Sequence, residues 1–403
     1  MAMPSPAAQP TLPDELLEEI FLRLHEAADL ARASAACASF HRIVSDRRFL
    51  RRFRSLHPPP VLGFLDVCGG NIEFCSAQRP RRSASAARAL AQAADFTFSF
   101  LPMDSNNPNC WQVRDARNGR VLLSRRAATS SVLEDLVVCD PLHRRYVQIP
   151  SIPADLAASP NYGGVLQMFD PFLAPAGEDE EESSLRVICN VVSKTNIVSF
   201  VFSSVTGNWR SIPSSSIASY EWMNILPSLD RHCAGSCFGW TDFGHKVMLV
   251  LDTRLMEFSI VNLLPESQWR EKVIVQAGEG RLGLVVNDYC KFDIYSKNWG
   301  DNGVGTEEWR HDMVIPLPLL PDCYWHIFGP DGGCLLLWGI PRDQRNLWSQ
   351  CRKSSTKKPD KHYFVLELKT LRVERLCTLK LESNPGYLYS YSSFPSPLSP
   401  PSL

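Results

Sequence analysis

The helical period of apolar residues is concentrated near the N-terminus. In LPDELLEEIFLRLHEAADLARASAACASFHRIV, residues 12–44, Leu16, Ile20 and Leu24 fall at i, i+4 and i+8, and Leu17 and Phe21 form a second i, i+4 pair. That spacing predicts a helix with a wide apolar face. Pro13 suits a first helical turn, where no N–H is needed, and Asp14, Glu15, Glu18 and Glu19 suit the positive end of the helix dipole. Two further periodic segments, 30–37 and then Phe40, Ile43 and Val44, predict two more short helices. A piece of fewer than about 50 residues encloses little core of its own. The surplus apolar face therefore predicts a partner, although a plain three-helix cap on a larger domain has the same pattern. Residues 47–57, RRFLRRFRSLH, set Phe49, Leu50 and Phe53 on one side of a helix, with Arg47, Arg48, Arg51, Arg52 and Arg54 around them. This reads as a linker helix packing its apolar side on the next domain, in preference to a nucleic-acid patch, because no stacking aromatics accompany the arginines. The Pro58–Pro60 run ends it and predicts a stiff hinge.

From residue 61 the pattern shortens to apolar runs separated by Gly, Asp, Asn and Pro. These predict strands at 61–67, 96–101, 121–123, 136–139, 146–149, 185–192, 197–202, 247–251, 258–261, 282–286, 335–338 and 363–368. The Ala-rich segment 83–94 predicts a helix among them. A loose repeat runs through the region: a strand, an Asp-Pro or Thr-Gly type turn, then a strand ending in Pro. It reads VVCDPLHRRYVQIP at 137–150, VFSSVTGNWRSIP at 201–213, LVLDTRLMEFSIVNLLP at 249–265 and, more weakly, FVLELKTLRVERL at 364–376. The turn reverses the chain, and a terminal Pro, having no N–H, ends strand pairing. Asp140, Thr206 and Asp252 are 66 and 46 residues apart, spacings that suit four-stranded propeller blades with insertions. The expectation is an α+β chain: a tail at 1–10, helices over 11–57, a Pro hinge at 58–60, an all-β domain of about six propeller blades over 61–380, and a Pro/Ser-rich tail at 381–403. A pair of β-sandwiches is the alternative.

Composition narrows the function classes. The formal net charge of −1 supplies no overall field toward nucleic acid or a membrane surface. The 13 cysteines are scattered without a CxxC pair, the first ten residues hold no apolar leader, and no apolar run approaches the ~18 residues of a membrane helix. These features predict a reduced protein of the cytoplasm or nucleus. Candidate chemistry is thin. Cys233 and Cys237, with His232 and His245, are off the usual zinc spacing and read as core thiols. His311-Asp312 and His362 have no nucleophile at an interpretable spacing, and no Walker loop, GxSxG or HExxH occurs. The acidic run 178–182, the Gly-rich 301–306, the basic 354–361 and the Pro/Ser tail 394–403 read as solvated loops and ends. Trp222, Trp240, Trp299, Trp325 and Trp348 read as blade core in preference to a binding face. No catalytic residue, cofactor or metal is expected.

Leu12-Pro13-x-Glu15-Leu16-Leu17-x-x-Ile20-Phe21-x-x-Leu24, followed by Leu30, Arg32-Ala33, Cys37 and Ile43-Val44-Ser45-Asp46, resembles an F-box. The chain departs from that pattern at His25-Glu26-Ala27-Ala28 and at Cys37-Ala38-Ser39-Phe40. The repeats resemble the F-box-associated propeller-like regions of plant F-box proteins, where Gly-x-Leu-Leu and Asp-Pro…Leu-Pro elements recur. The resemblance implies a non-catalytic, substrate-recognising subunit of a Skp–cullin–F-box ubiquitin ligase. The Skp-type adaptor would be held by Leu12, Pro13, Leu16, Ile20, Leu24 and Leu30, and a protein substrate by the β domain, with no nucleic acid or membrane partner. A non-degradative scaffold would use the same helices. A propeller enzyme would instead bring convergent carboxylates or a metal into the central channel.

Overall fold

The computed structural model describes residues 12–24, 27–57, 59–68, 71–102, 111–125, 134–157, 168–175, 184–192, 197–213, 230–241, 244, 246–278, 280–288, 291–299, 308–316, 323–344, 360–380 and 387–392. It divides into two compact units, Met1–Pro60 and Val61–Leu403. The notable loops and ends of the sequence, 1–10, 178–182, 301–306, 354–359 and 394–403, lie outside the described residues, as do Trp222, His245 and Trp348.

The first unit is helical: α1 (Asp14–Leu22), α2 (Ala27–Ala36), α3 (Ala38–Val44) and α4 (Arg47–Leu56). Its core is Phe21, Leu22, Leu30, Ile43, Val44, Phe49 and Phe53. Phe21 meets Phe40 edge-on at 5.1 Å and Phe49 at 6.5 Å between ring centroids. Asp46 caps α4, its carboxylate accepting the amides of Arg48 at 2.8 Å and Phe49 at 3.1 Å. The apolar side of α4 therefore packs into the helical unit itself, where the pattern predicts packing on the next domain. The reason is volume: the short α1, α2 and α3 leave a gap that Phe49 and Phe53 fill. Arg52 is not a free basic group either, since it pairs with Glu19 at 2.7 Å and Glu18 at 3.8 Å.

The second unit is a six-blade β-propeller. Five blades are four-stranded antiparallel sheets: β3 (Trp111–Arg117) to β6 (Arg145–Ile149), β7 (Met168–Ala174) to β10 (Asn208–Pro213), β11 (Asp230–Ala234) to β14 (Glu257–Asn262), β15 (Lys272–Gln276) to β18 (Arg310–Pro316), and β19 (Cys323–Asp331) to β22 (Val373–Lys380). The remaining blade has three strands among the described residues, ordered β2 (Asn71–Ser76), β1 (Val61–Cys68), β23 (Tyr387–Ser392). The first strands β3, β7, β11, β15 and β19, with β23, lie around the axis, and β11 and β19 approach each other across it. The repeat seen in the sequence is the hairpin of the third and fourth strands. Segments 137–150, 201–213, 249–265 and 364–376 carry these hairpins in four blades, with register such as Asp140↔Arg145 and Asp252↔Glu257.

Closure corrects the expected end of the β domain at 380. Residues 387–392, assigned to the tail, form β23 and pair along β1 from Val61↔Ser392 to Val67↔Tyr387. The last strand thus completes the first blade. Tyr391 fixes this closure: its side chain is 1% exposed, and its hydroxyl donates to the Gly119 carbonyl at 2.6 Å. The predicted helix at 83–94 is present as α5 (Ala84–Ala93), which buries Ala87 and Leu90 beside β1 and β2. The predicted strand at 96–101 is absent. FTFSF alternates like a strand, but the Asp95 carboxylate accepts the amides of Thr97 at 2.9 Å and Ser99 at 3.1 Å and winds the segment into turns. Phe96 then stacks on Phe74 at 4.2 Å.

Candidate functional site

Two arrangements invite a functional reading: the outer face of α1 and the axis of the propeller. The amides of Leu16 and Leu17 both donate to the Pro13 carbonyl, at 3.1 and 3.2 Å, so Pro13 starts α1. The nine residues of α1 then divide into two stripes. Leu17, Phe21 and Leu22 turn into the helical core. Leu16 and Ile20 turn outward, and together with Leu12 they remain 51%, 48% and 52% exposed. Arg42 on α3 holds Asp14 at 2.6 Å and Arg52 on α4 holds Glu19 at 2.7 Å, bracing the acidic side of α1 against its neighbours. Pro13 is exposed. Leu24 and Leu30, from the same motif, lie elsewhere. Helix α1 ends at Leu22, so Leu24 leaves the i, i+4, i+8 line and packs partly buried against the core; Leu30 is 5% exposed within it. The outward surface is therefore Leu12, Pro13, Leu16 and Ile20, with Leu24 and Leu30 supporting it from inside. Sequence spacing shows that the helix has two apolar stripes but not which one its neighbours cover.

The axis of the propeller carries charge that the sequence did not reveal. The guanidinium of Arg231 on β11 pairs with Asp170 on β7, donates to the Arg114 carbonyl at 3.2 Å, lies 3.6 Å from Asp115, and sits over the Phe172 ring at 4.6 Å. Asp170 also accepts from Trp240 Nε1 at 3.1 Å, and Asp115 accepts the Leu173 amide at 2.8 Å. Arg114 sits in a bulge of β3 and pairs with Glu134 at 2.6 Å. Two carboxylates do converge here, as a propeller enzyme would require, but both are held by Arg231 and by donors from adjacent blades. This arrangement ties the first three four-stranded blades together. A second tie joins the last two: Glu271 accepts from Asn287 at 3.1 Å and the Ile327 amide at 3.0 Å, and contacts His326 Nδ1 at 2.5 Å. These bonds hold its carboxyl below the usual carboxylate range against the opposing effect of burial. Among the described residues no group of three or more His, Cys, Asp or Glu could hold a metal ion. Cys233 and Cys237 face opposite sides of their hairpin, because Cys233 pairs with Phe238 and Cys237 with Ala234. Trp240, Trp299 and Trp325 are core, at 1%, 5% and 4% exposure.

Residues 10–56 match the family model described as F-box-like. This segment is an F-box-like domain. The exposed stripe of α1 lies within it. No curated protein matches the chain. Solved structures that resemble the chain do so distantly. A post-proline cleaving enzyme from Rickettsia typhi is 8% identical, with a TM-score of 0.34 over 70% of this chain and 39% of that one. A putative 6-phosphogluconolactonase from Bacteroides uniformis is 14% identical, with a TM-score of 0.31 over 70% and 75%. An intramolecular trans-sialidase from Ruminococcus gnavus is 10% identical, with a TM-score of 0.31 over 52% and 46%. The chain spans well under half the length of the Rickettsia enzyme. None of these likenesses bears on chemistry, and the propeller follows from the six sheets of this chain.

Proposed function

We propose that this chain is the substrate-recruiting subunit of a Skp–cullin–F-box ubiquitin ligase. One observation carries the reading: an F-box-like domain whose first helix leaves Leu12, Leu16 and Ile20 about half exposed in one stripe. Large apolar side chains held in a row at a helix surface gain roughly 1.5–3 kcal/mol each on full burial, and these three are half-way there. An Skp-type adaptor would cover them. The chain breaks no bonds in this account. The propeller presents a protein substrate, and ubiquitin transfer is speeded because substrate lysines are held close to the charged enzyme. Free thiols at ten described cysteines agree with residence in the reducing cytoplasm or nucleus. The plant F-box-associated type is our assignment for the propeller, from its Gly-x-Leu-Leu and Asp-Pro hairpin elements.

The test is capture of purified Skp-type adaptor by the full chain. Wild type binds, and Leu16→Asp with Ile20→Asp does not. Failure of the wild-type chain to bind overturns the proposal. Depletion of the protein then has to raise the abundance of at least one captured target; stable targets throughout would favour a scaffold.

A further inference from the structure

The first blade departs from the other five at its outer side. They continue into a fourth strand, whereas after β2 the chain turns into the segment 77–101, which contains α5. Both ends of this segment are tied to neighbouring blades. The Gln78 amide donates to the Leu376 carbonyl on β22 at 2.7 Å, and the Asp95 amide donates to the Pro141 carbonyl at 2.9 Å. Between them the Arg81 amide donates to the Gln78 carbonyl at 3.2 Å and Ser83 Oγ to the Val61 carbonyl at 3.0 Å, while Ala87 and Leu90 anchor α5 in the core. The segment brings cations to the surface. Residues 77–101 contain four arginines and one carboxylate, and residues 369–376 of the adjoining hairpin contain three cations and one carboxylate. Both carboxylates are engaged. Glu374 pairs with Arg81 at 3.1 Å and with Arg372 at 2.9 Å, and Asp95 accepts the hydroxyls of Thr97 and Ser99 at 2.6 Å. Arg79, Arg82, Arg88 and Arg375 are exposed and have no ion pair among the described residues. The hairpin at the Pro141 end adds the exposed Arg144 and Arg145.

Exposed cations elsewhere are often paired, as Arg42 is with Asp14, Arg310 with Asp312 and Lys380 with Asp360. Here like charges stand together on a chain with a net charge of only −1, so an anion that settles among them relieves their repulsion. Three classes of anion come into question. No large apolar side chain is exposed over 71–101 or 360–380, which argues against a membrane surface. No aromatic ring is exposed there on which a base could stack, which argues against single-stranded nucleic acid. Carboxylates remain, and the forked donors of guanidinium groups match them. We propose that this arc of the propeller is the docking surface for an acidic, Asp/Glu-rich segment of a partner protein, with Arg79, Arg82, Arg88 and Arg375 as its cations. An extended segment of about ten residues reaches at most about 33–36 Å, long enough to meet several of these arginines at once. That the partner is the recruited substrate rests on the ligase reading above; the docking surface itself does not.

The experiment uses the full chain without adaptor. A fluorescein-labelled peptide of alternating Glu and Ser, about ten residues long, and its counterpart with Gln for Glu are titrated by fluorescence anisotropy. The acidic peptide is expected to bind at least about tenfold more tightly, and to lose that margin at about 1 M salt, where charges are screened beyond about 3 Å. Equal binding of the two peptides overturns the proposal and needs no variant. Arg82→Glu with Arg375→Glu should weaken the acidic peptide at least about tenfold. Arg210→Glu with Lys246→Glu, the same charge change at exposed positions on other blades, should leave its binding nearly unchanged. Equal losses in the two double variants would trace the effect to net charge and overturn the surface. A single-stranded oligothymidine of the same net charge is titrated in parallel, and its binding more tightly than the acidic peptide overturns the peptide as occupant. Failure of these titrations leaves adaptor capture untouched, and failure of adaptor capture leaves the surface standing with a partner other than a ligase substrate.

Discussion

His232 shows how a single side chain sets a limit on the pH range of the fold. It is 9% exposed on β11, and its Nδ1 has no hydrogen-bond partner. Burial, and then the neighbouring Arg231 charge, push its pKa down to about 4. The unfolded chain would take up this proton near pH 6.5, so between those values the unfolded state holds more proton than the folded one. Stability therefore falls as pH falls through that window, by about 2 kcal/mol between pH 7 and pH 5 from this residue alone. Urea midpoints measured at the two pH values should show the loss, and His232→Leu should shrink it. Arg231 next door predicts a second effect. Asp170→Asn removes its main counter-charge in a nearly dry site, and breaking such a pair costs about 3–5 kcal/mol. The melting temperature should drop by several degrees, and Arg231→Leu combined with Asp170→Asn should recover part of the loss.

At the scale of elements, α1 and α4 depend on each other. Phe49 is 1% exposed and meets Phe21, so Phe49→Ala should cost about 3–5 kcal/mol, enough to melt a unit this small. Circular dichroism of the variant should lose helix along with adaptor binding, whereas Leu16→Asp with Ile20→Asp should lose binding and keep the helix. The first helix was legible in the sequence because its i, i+4 spacing is local. Which stripe faces out was not, since that depends on where α3 and α4 lie, and the inward packing of Leu24 and Leu30 depends on the same neighbours. The hairpin repeat was legible because a turn and a strand-ending Pro act locally. The segment after Asp95 misled because FTFSF has a strand's period, while the carboxylate of one preceding residue decides the turn. The Arg231 cluster brings Asp115, Asp170 and Arg231 together over 116 residues of sequence, 231 − 115, and no spacing rule reaches that far.

The whole molecule divides its work between a helical unit with an uncovered apolar stripe and a propeller closed by its own last strand. Removing residues 387–403 takes away β23, exposing the edge of β1 and the pocket of Tyr391. The truncated propeller should unfold at markedly lower urea and aggregate through its open edge. The F-box-like segment should still bind adaptor, because none of its core residues belongs to the propeller. The most direct test of the account is a binding titration of purified Skp-type adaptor against the full chain and against its Leu16→Asp, Ile20→Asp form. The account predicts tight binding by the first and binding weakened at least about 100-fold in the second, with helix content unchanged. Equal affinity for both forms, or no binding by the unaltered chain, would contradict it.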